Sequence, residues 1–398
     1  MEELDALYNY SMFSGAPQLL IPCFMACLWF ALGTPPAHSQ TNAAPLAEFA
    51  TGADLSMLPH HEARGIQYFD GDKATDLLAI AKSNGWKIIR VRLWVEPNAK
   101  PEYQVSNLEN VTQLGKRIKA VGLQFLLDIH YSDTWADPGH QKKPAAWADL
   151  TFPPLEQRVH DYSRDVIVHL RENGAMPDIV QVGNEIKNGL LYGSGINEAG
   201  PQPGGGFWEP DKGGIERGLR LFAAGARGVR EGSSQAPLQI MLHVPDGQDT
   251  GFIKWYFSML DKTAHEANPP LNLDYDLIGL SYYPAAPWDE KAGYEPWHLS
   301  HLTDSMAYLA TTWGKPIMVV ETNWPHAGTP RTLPGTPEYS FTPEGQMKFY
   351  QTLVGMVRAV PKGLGRGVMA WEIDTLNWDS IFDAKGNALP AVRALGQK

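Results

Sequence analysis

Eight short apolar runs, separated by amphipathic stretches, constrain the fold of this chain more than any other feature. They are rich in β-branched residues, and the predicted strands are Phe49–Asp54, Lys87–Trp94, Leu123–His130, Asp178–Glu185, Leu238–His243, Asp276–Tyr282, Pro316–Glu321 and Gly367–Trp371. An uninterrupted strand–helix alternation of this length favours a closed barrel over an open doubly wound sheet. The sequence therefore predicts an α/β fold, a single (β/α)8 TIM barrel.

Two of the intervening stretches have clear helical signals. One spans Leu155–Leu170, and its apolar face is formed by Leu155, Val159, Tyr162, Val166 and Leu170. The other begins at Thr342-Pro343-Glu344, a capping residue followed by proline and an early acid. Its inward face is predicted to be Phe349, Leu353 and Val357.

Composition narrows the range of partners. Of the 398 residues, 43% are apolar and 19% charged, which is typical of a globular protein with a large core. The formal net charge of −11 argues against nucleic acid and against anionic membrane surfaces as partners. A neutral polymer is compatible with it, and the chain is expected to be a monomer. Thirteen tryptophans exceed what the core needs, and such rings often line sugar sites.

The N-terminal segment resembles a secretory signal. The apolar run Leu19–Leu32 has the length of a signal h-region, and Ala37 and Ser39 fit a small-x-small cleavage site. We therefore assign residues 1–39 to a signal peptide and 40–398 to the barrel domain, which predicts a secreted or periplasmic protein. The residues before the run are acidic rather than basic, so an uncleaved membrane anchor is the alternative.

Cysteine usage agrees with that division. The chain has two cysteines, Cys23 and Cys27, and both lie inside the apolar run. A chain that begins at Gln40 would contain neither thiols nor disulfides.

Two glutamates close predicted strands at the end of the barrel where active sites form. Glu185 follows the fourth apolar run and Glu321 the seventh, and both should emerge at the carboxyl-terminal face. A carboxylate at the end of a buried strand is costly unless it is paired or put to use. Two of them on one face form the arrangement that a retaining glycosidase needs, with carboxyls about 5–5.5 Å apart.

Several longer strings resemble one family of barrel glycosidases. They are Gly52–Ser56 (GADLS), Arg90–Val95 (RVRLWV), Asp128–Gly139 (DIHYSDTWADPG), Gln181–Gly189 (QVGNEIKNG) and Gly386–Pro390 (GNALP). Together with Glu321 they resemble the family 53 glycoside hydrolases, the arabinogalactan endo-β-1,4-galactanases. The resemblance covers the chain from Gly52 to its end. It implies an endo-acting retaining enzyme that cleaves β-1,4-galactosidic bonds in galactan and type I arabinogalactan, the side chains of pectin.

The resemblance also implies roles for individual residues. Glu185 would be the general acid/base and Glu321 the nucleophile, while Asn184 would bind the 2-hydroxyl of the sugar at the cleavage point. Tyr282 would donate a hydrogen bond to Glu321. Arg92 would lie beneath Glu321 and keep it ionised.

Further residues are expected around this pair. Trp371 would form the stacking floor of the site, and weaker candidates for sugar contact or support are Asp54, His130 and Trp94. Three of these residues also have a purely structural interpretation. Arg92 could be a satisfied charge inside the barrel, His130 a hydrogen-bonded core histidine, and Trp94 a core side chain.

No cofactor and no metal are expected. Some bacterial members of the family bind structural calcium in late loops, but Asp374, Asp379 and Asp383 do not form an identifiable ligand set. Three alternatives to a soluble galactanase remain open. These are a related barrel enzyme acting on β-mannan or β-glucan, a non-catalytic sugar-binding barrel, and a membrane-tethered galactanase.

Overall fold

The protein folds as a closed barrel of eight parallel strands. The computed structural model describes residues 48–192, 204–207, 213–284, 299–328 and 339–396. The strands are β1 (Ala50–Asp54), β2 (Ile88–Leu93), β3 (Gln124–Ile129), β4 (Ile179–Val182), β5 (Gln239–Val244), β6 (Leu277–Ser281), β7 (Ile317–Glu321) and β8 (Gly365–Ala370). They pair in chain order, and β1 pairs with β8 to close the barrel. The predicted single (β/α)8 barrel is confirmed.

Helices follow the strands and cover the outside of the barrel. They are α1 (Leu58–Ala63), α2 (Leu77–Ser83), α3 (Pro101–Gln104), α4 (Leu108–Ala120), α5 (Phe152–Glu172), α6 (Gly214–Ser233), α7 (Thr250–Glu266), α8 (Leu299–Tyr308), α9 (Pro343–Arg358) and α10 (Ala391–Ala394). Two short antiparallel pairs lie beside the barrel, at Tyr68–Phe69 with Ala74–Thr75 and at Gly189–Leu190 with Gly205–Gly206.

The two helices predicted in detail form as expected. In α9 the hydroxyl of Thr342 accepts a hydrogen bond from the Gly345 amide at 3.1 Å, which satisfies one of the free donors of the first turn. The predicted inward face of α9 is buried. In α5 the predicted face is also buried, except that Tyr162 is half-buried and packs edge-on against Trp147.

Alternate strand residues face the barrel interior and the helices. The interior apolar cluster contains one or two residues from each strand and consists of Ala50, Ile88, Leu126, Ile179, Met241, Leu277, Met318, Val320 and Met369. In β2, Ile89, Val91 and Leu93 pack instead into the layer between strands and helices. Because side chains alternate along a strand, Arg90 and Arg92 point into the barrel, above Ile88.

A β-bulge changes this alternation in β7. Leu280 pairs with Val319, but the next residue of β6, Ser281, pairs with Glu321, so Val320 is an extra residue. Val320 and Met318 both face the interior. Strict alternation would turn Glu321 outward, and the bulge turns it into the barrel mouth instead.

Some sequence assignments differ from the structure or lie outside it. Strand β4 ends at Val182, three residues before the predicted end, because Gly183 and Glu185 both have positive φ. The assigned signal peptide, residues 1–39, lies outside the described residues. None of the helices in the described ranges is long and apolar enough to span a membrane.

Candidate active site

Glu185 lies at the carboxyl end of β4 in a left-handed conformation, with φ 48° and ψ 50°. This region is uncommon for a residue other than glycine, and such residues cluster at functional sites. The turn between β4 and Glu185 also requires glycine at position 183, where φ is 81°. A Cβ at Gly183 would lie 2.7 Å from Ile186 Cγ2 and 2.9 Å from Leu190 Cδ1, so no other residue fits without a shift. The tight backbone brings the Glu185 carboxyl to the mouth of the barrel.

Glu321 lies across the barrel mouth at the end of β7 and is 6% exposed. Its Oε1 is 2.8 Å from Arg90 Nη2, and its Oε2 accepts a hydrogen bond of 2.9 Å from the hydroxyl of Tyr283. The prediction that Arg92 lies beneath Glu321 is therefore wrong. Both arginines point inward, but Arg90, one layer deeper, is the one whose guanidinium reaches the glutamate.

The prediction that Tyr282 donates to Glu321 is wrong for a related reason. Ser281 and Tyr283 face the barrel mouth, so Tyr282 between them faces outward. Its ring is buried and stacks on Phe349 of α9, with centroids 6.5 Å apart. Its hydroxyl has no hydrogen-bond partner among the described residues.

Arg92 has a different environment from the expected one. Its Nη1 lies 3.1 Å from Glu372 Oε1, and its guanidinium stacks on Trp135, with Cζ 3.7 Å from the ring centroid. The ring centroid of Trp94 is 4.8 Å from the same Cζ atom. Arg92 thus links the loop after β3 to Glu372 at the end of β8.

Asn184 is held rigidly beside Glu185. Its Nδ2 donates to the Ala136 carbonyl at 2.7 Å, and its Oδ1 accepts from Arg90 Nη2 at 2.9 Å and from Gln181 Nε2 at 3.0 Å. These contacts fix which end of the amide is oxygen. One hydrogen of Nδ2 is used by Ala136, which leaves the second for another acceptor.

The weaker candidates Asp54, His130 and Trp94 lie beneath or beside the site rather than at its surface. Asp54 accepts from Arg90 at 2.9 Å and is fully buried. His130 has one ring nitrogen 2.9 Å from Asp128 and accepts from the Ala136 amide through the other. Trp94 is also fully buried. All three are buried, and this burial favours the structural interpretation of His130 and Trp94.

Aromatic rings line one side of the mouth. Trp371 is half-buried at the end of β8, with its centroid 6.2 Å from that of Trp135 and 6.2 Å from that of Tyr283. The Tyr283 ring is perpendicular to Trp371 at 89°, and its hydroxyl is on Glu321. The partly exposed Trp371 ring is thereby held next to the carboxyl pair, where a sugar ring could stack on it.

The two carboxyl groups interact electrostatically. Burial and then the negative charge of Glu321 raise the pKa of Glu185 well above its usual range. Burial also raises the pKa of Glu321, but the adjacent Arg90 and the Tyr283 hydroxyl oppose that effect. Because the Arg90 cation lies beside Glu321, Glu185 is the carboxyl of the pair that keeps its proton to the higher pH. One acid and one carboxylate in a single site can serve as a proton donor and a nucleophile.

The charge beneath Glu321 is supplied by a buried ion cluster. Burial alone would lower the pKa of Arg90, but Asp128, Glu321 and Asp54 outweigh that effect and raise it. Conversely, Arg90 and His130 overcome burial to lower the pKa of Asp128 to about 2. Arg90 therefore carries a positive charge beside Glu321.

Sequence reasoning missed five residues of this site: Arg90, Ser281, Tyr283, His243 and Glu372. Ser281, Tyr283, His243 and Glu372 are polar residues at or near the carboxyl end of a strand, which is the signal used for the others, whereas Arg90 lies in the middle of β2. Glu372 follows Trp371 directly, and burial raises its pKa to about 7 despite the nearby Arg92.

No metal site is apparent in the described ranges. Within them, no group of three or more histidine, cysteine, aspartate or glutamate side chains is arranged to hold an ion. Asp379 accepts a hydrogen bond from Asn323, and Asp383 from Asn387, so neither of these two candidates turns toward a shared centre.

The fold and the carboxyl pair define a (β/α)8 enzyme with an acid and a carboxylate at the barrel mouth. Comparison with known sequences narrows this class. The profile of glycosyl hydrolase family 53 matches residues 50–395. The chain belongs to glycosyl hydrolase family 53, and the resemblance seen in the sequence is confirmed.

Individual relatives agree with this assignment. The chain is 34% identical to an arabinogalactan endo-β-1,4-galactanase of Cellvibrio japonicus, over 89% of this chain and 92% of the relative. It is 36% identical to a probable arabinogalactan endo-β-1,4-galactanase A of Aspergillus terreus, over 82% and 87% of the two chains. A solved fungal β-1,4-galactanase superposes with a TM-score of 0.75 at 32% identity, covering 88% of this chain and all of that one.

Proposed function

We propose that this protein is an endo-acting retaining hydrolase of β-1,4-galactosidic bonds in galactan and type I arabinogalactan. The observation that carries the proposal is the carboxyl pair of Glu185 and Glu321 at the barrel mouth, in a chain whose family relatives are named galactanases. The partner is a neutral polysaccharide, and we propose a monomer that needs no cofactor and makes no stable membrane contact.

In the first step of the proposed reaction, a carboxylate oxygen of Glu321 attacks the anomeric carbon of the galactosyl unit. The bond from that carbon to the glycosidic oxygen breaks, and Glu185 transfers its proton to the departing oxygen. A covalent galactosyl–Glu321 ester results. The ion pair with Arg90 and the hydrogen bond from Tyr283 support a nucleophile that is ionised before substrate arrives.

In the second step the roles reverse. Glu185, now ionised, removes a proton from water as the water oxygen attacks the anomeric carbon, and Glu321 leaves as a carboxylate. Two displacements at one carbon return it to its starting configuration. We assign Asn184 to the 2-hydroxyl of the bound sugar, since its second amide hydrogen is available, and Trp371 to the face of the sugar ring.

The substrate assignment predicts a specific product pattern. Linear β-1,4-galactan should be cut internally, giving short galacto-oligosaccharides and a rapid fall in viscosity, which chromatography and viscometry can follow together. Release of galactose alone from chain ends would contradict endo action. Cleavage of β-mannan or β-glucan without cleavage of galactan would favour the related barrel enzymes, and no cleavage of any polymer would favour a sugar-binding barrel.

We also propose that the protein is secreted after cleavage behind Ser39. The apolar run and the small-x-small site support this, and removal of residues 1–39 takes both cysteines with it. Exported protein should therefore begin at Gln40 and contain no titratable thiol. N-terminal sequencing and a thiol assay check this. Two thiols in membrane-associated material would instead indicate a retained anchor.

A further inference from the structure

Two buried polar residues that have no role in the reaction above are connected to Glu185. Ser281 Oγ lies 2.6 Å from Glu185 Oε1 and 2.9 Å from His243 Nε2. The other ring nitrogen, Nδ1, accepts a hydrogen bond of 3.3 Å from the backbone amide of Glu185. Ser281 is 1% exposed and His243 is fully buried. The contacts therefore form a closed path from the Glu185 amide through the imidazole and the hydroxyl to its own carboxyl.

The hydrogen count decides the direction of these bonds. A serine hydroxyl has one hydrogen, so it can donate either to Glu185 or to His243. The backbone amide of Glu185 can only donate, so His243 Nδ1 is an acceptor and the one hydrogen of the neutral ring is on Nε2, which donates to Ser281. Ser281 must then donate to Glu185 Oε1, whether or not Oε2 carries a proton. Asn184 Oδ1 is 3.0 Å from Nδ1, but it already accepts from Arg90 and Gln181.

We propose that Ser281 and His243 are positioning residues for the acid/base. By occupying Oε1, they leave Oε2 as the oxygen that carries and exchanges the proton, and they fix its direction toward the substrate. This proposal rests on the proposed role of Glu185 as the proton donor. It explains why a polar pair is buried at this point of the barrel, where apolar side chains would otherwise fill the space.

The register of the sheet supports a positioning role. Ser281 is the residue that pairs with Glu321 across the bulge between β6 and β7. The same backbone feature therefore sets the direction of the Glu321 side chain and the place of the hydroxyl that holds Glu185. A shift of one residue in that pairing would disturb both glutamates together.

Burial, together with the nearby charges, keeps His243 a neutral hydrogen-bonding group. Burial and then Arg90 lower its pKa well below the usual value, with Asp128 opposing and His130 adding to the effect. Burial and the carboxylates of Glu321, Asp137 and Asp246 raise the pKa of Glu185, and the Ser281 hydrogen bond opposes them. Loss of Ser281 should therefore raise the pKa of the acid/base further.

The test compares leaving groups, because a positioning residue for the acid matters only where the leaving oxygen needs a proton. Ser281→Ala should lower kcat/KM on galactan by about 10- to 100-fold, the effect of losing a hydrogen bond to an ionisable group. On a dinitrophenyl β-1,4-galactobioside, whose phenolate departs unaided, kcat/KM should fall less than about 3-fold. In Ser281→Ala, the alkaline limb of the plot of kcat/KM on galactan against pH should move to higher pH.

The controls separate this inference from a general loss of structure. Ser163→Ala removes a fully buried serine of α5 whose hydroxyl bonds to Tyr131 and the Val159 carbonyl and to neither glutamate. It should leave the ratio of kcat/KM on galactan to kcat/KM on the dinitrophenyl substrate unchanged. If Ser281→Ala does not fold, His243→Leu, which removes the donor to Ser281, should shift the ratio in the same direction. Equal losses on both substrates, or an unmoved alkaline limb, would overturn the proposal.

A parallel variant distinguishes the two proposals. Glu185→Ala, assayed on the same two substrates, should show the larger split between them. If Glu185→Ala shows the split and Ser281→Ala does not, only the positioning inference fails. If Glu185→Ala shows no split, the assignment of Glu185 as the acid fails, and the inference fails with it.

Discussion

Glu321→Ala is expected to abolish turnover on every substrate, whatever the leaving group. Without the carboxylate no covalent intermediate can form, and the loss should be on the order of 10⁵-fold or more, as for other enzymes that lose their nucleophile. Steady-state rates on galactan and on a dinitrophenyl galactobioside measure this directly. Residual activity above about 1% on either substrate would assign the nucleophile to another residue.

Two further measurements make this result specific. The thermal unfolding of Glu321→Ala should show that the barrel is still folded, since the variant also leaves Arg90 with one carboxylate fewer. In the unaltered protein, a 2-deoxy-2-fluoro-galactoside with a good leaving group should label a single peptide, the one that contains Glu321. A label on any other glutamate would contradict the assignment.

Glu185→Ala should fail in a different way. On galactan the loss should be about 10²- to 10⁴-fold, the usual contribution of general acid/base help. On the dinitrophenyl substrate the first step should survive, and the covalent intermediate should accumulate because no base activates water. Added azide needs no base, so it should restore turnover and give a β-galactosyl azide. Failure of azide to rescue, or an α-azide product, would remove Glu185 from its role.

The stereochemistry of the unaltered enzyme provides an independent check. NMR of the first product formed from galactan should show the β anomer, because two displacements retain configuration. An initial α anomer would mean a single displacement. The roles of both glutamates would then have to be exchanged for those of an inverting enzyme.

The sequence was sufficient for the architecture because the relevant signals are local. A buried parallel strand requires a continuous apolar run, and eight such runs separated by amphipathic stretches permit few folds other than a closed barrel. The position of Glu185 and Glu321 after the fourth and seventh runs was sufficient to place both at the same end. The cap of α9 at Thr342 was also readable, since capping depends on a few adjacent residues.

The side-chain contacts between strands could not be predicted from the sequence in the same way. The alternation of β2 shows that Arg90 and Arg92 both point inward, but not which of them reaches Glu321. That choice depends on the stagger of the strands around the barrel, which is a property of the closed sheet. The structure pairs Arg90 with Glu321 and Arg92 with Glu372.

By itself, then, the sequence determined the barrel, the end at which its polar residues collect and the placement of Glu185 and Glu321 at that end. Only the tertiary structure decided which side chains meet there. The bulge at Val320 turns Glu321 inward and sets it beside Ser281, and alternation along β6 gives Tyr283 rather than Tyr282 the hydrogen bond to it. The physical reason is that the period of a strand fixes the face of each residue, whereas register and bulges arise from pairing with a neighbour distant in sequence.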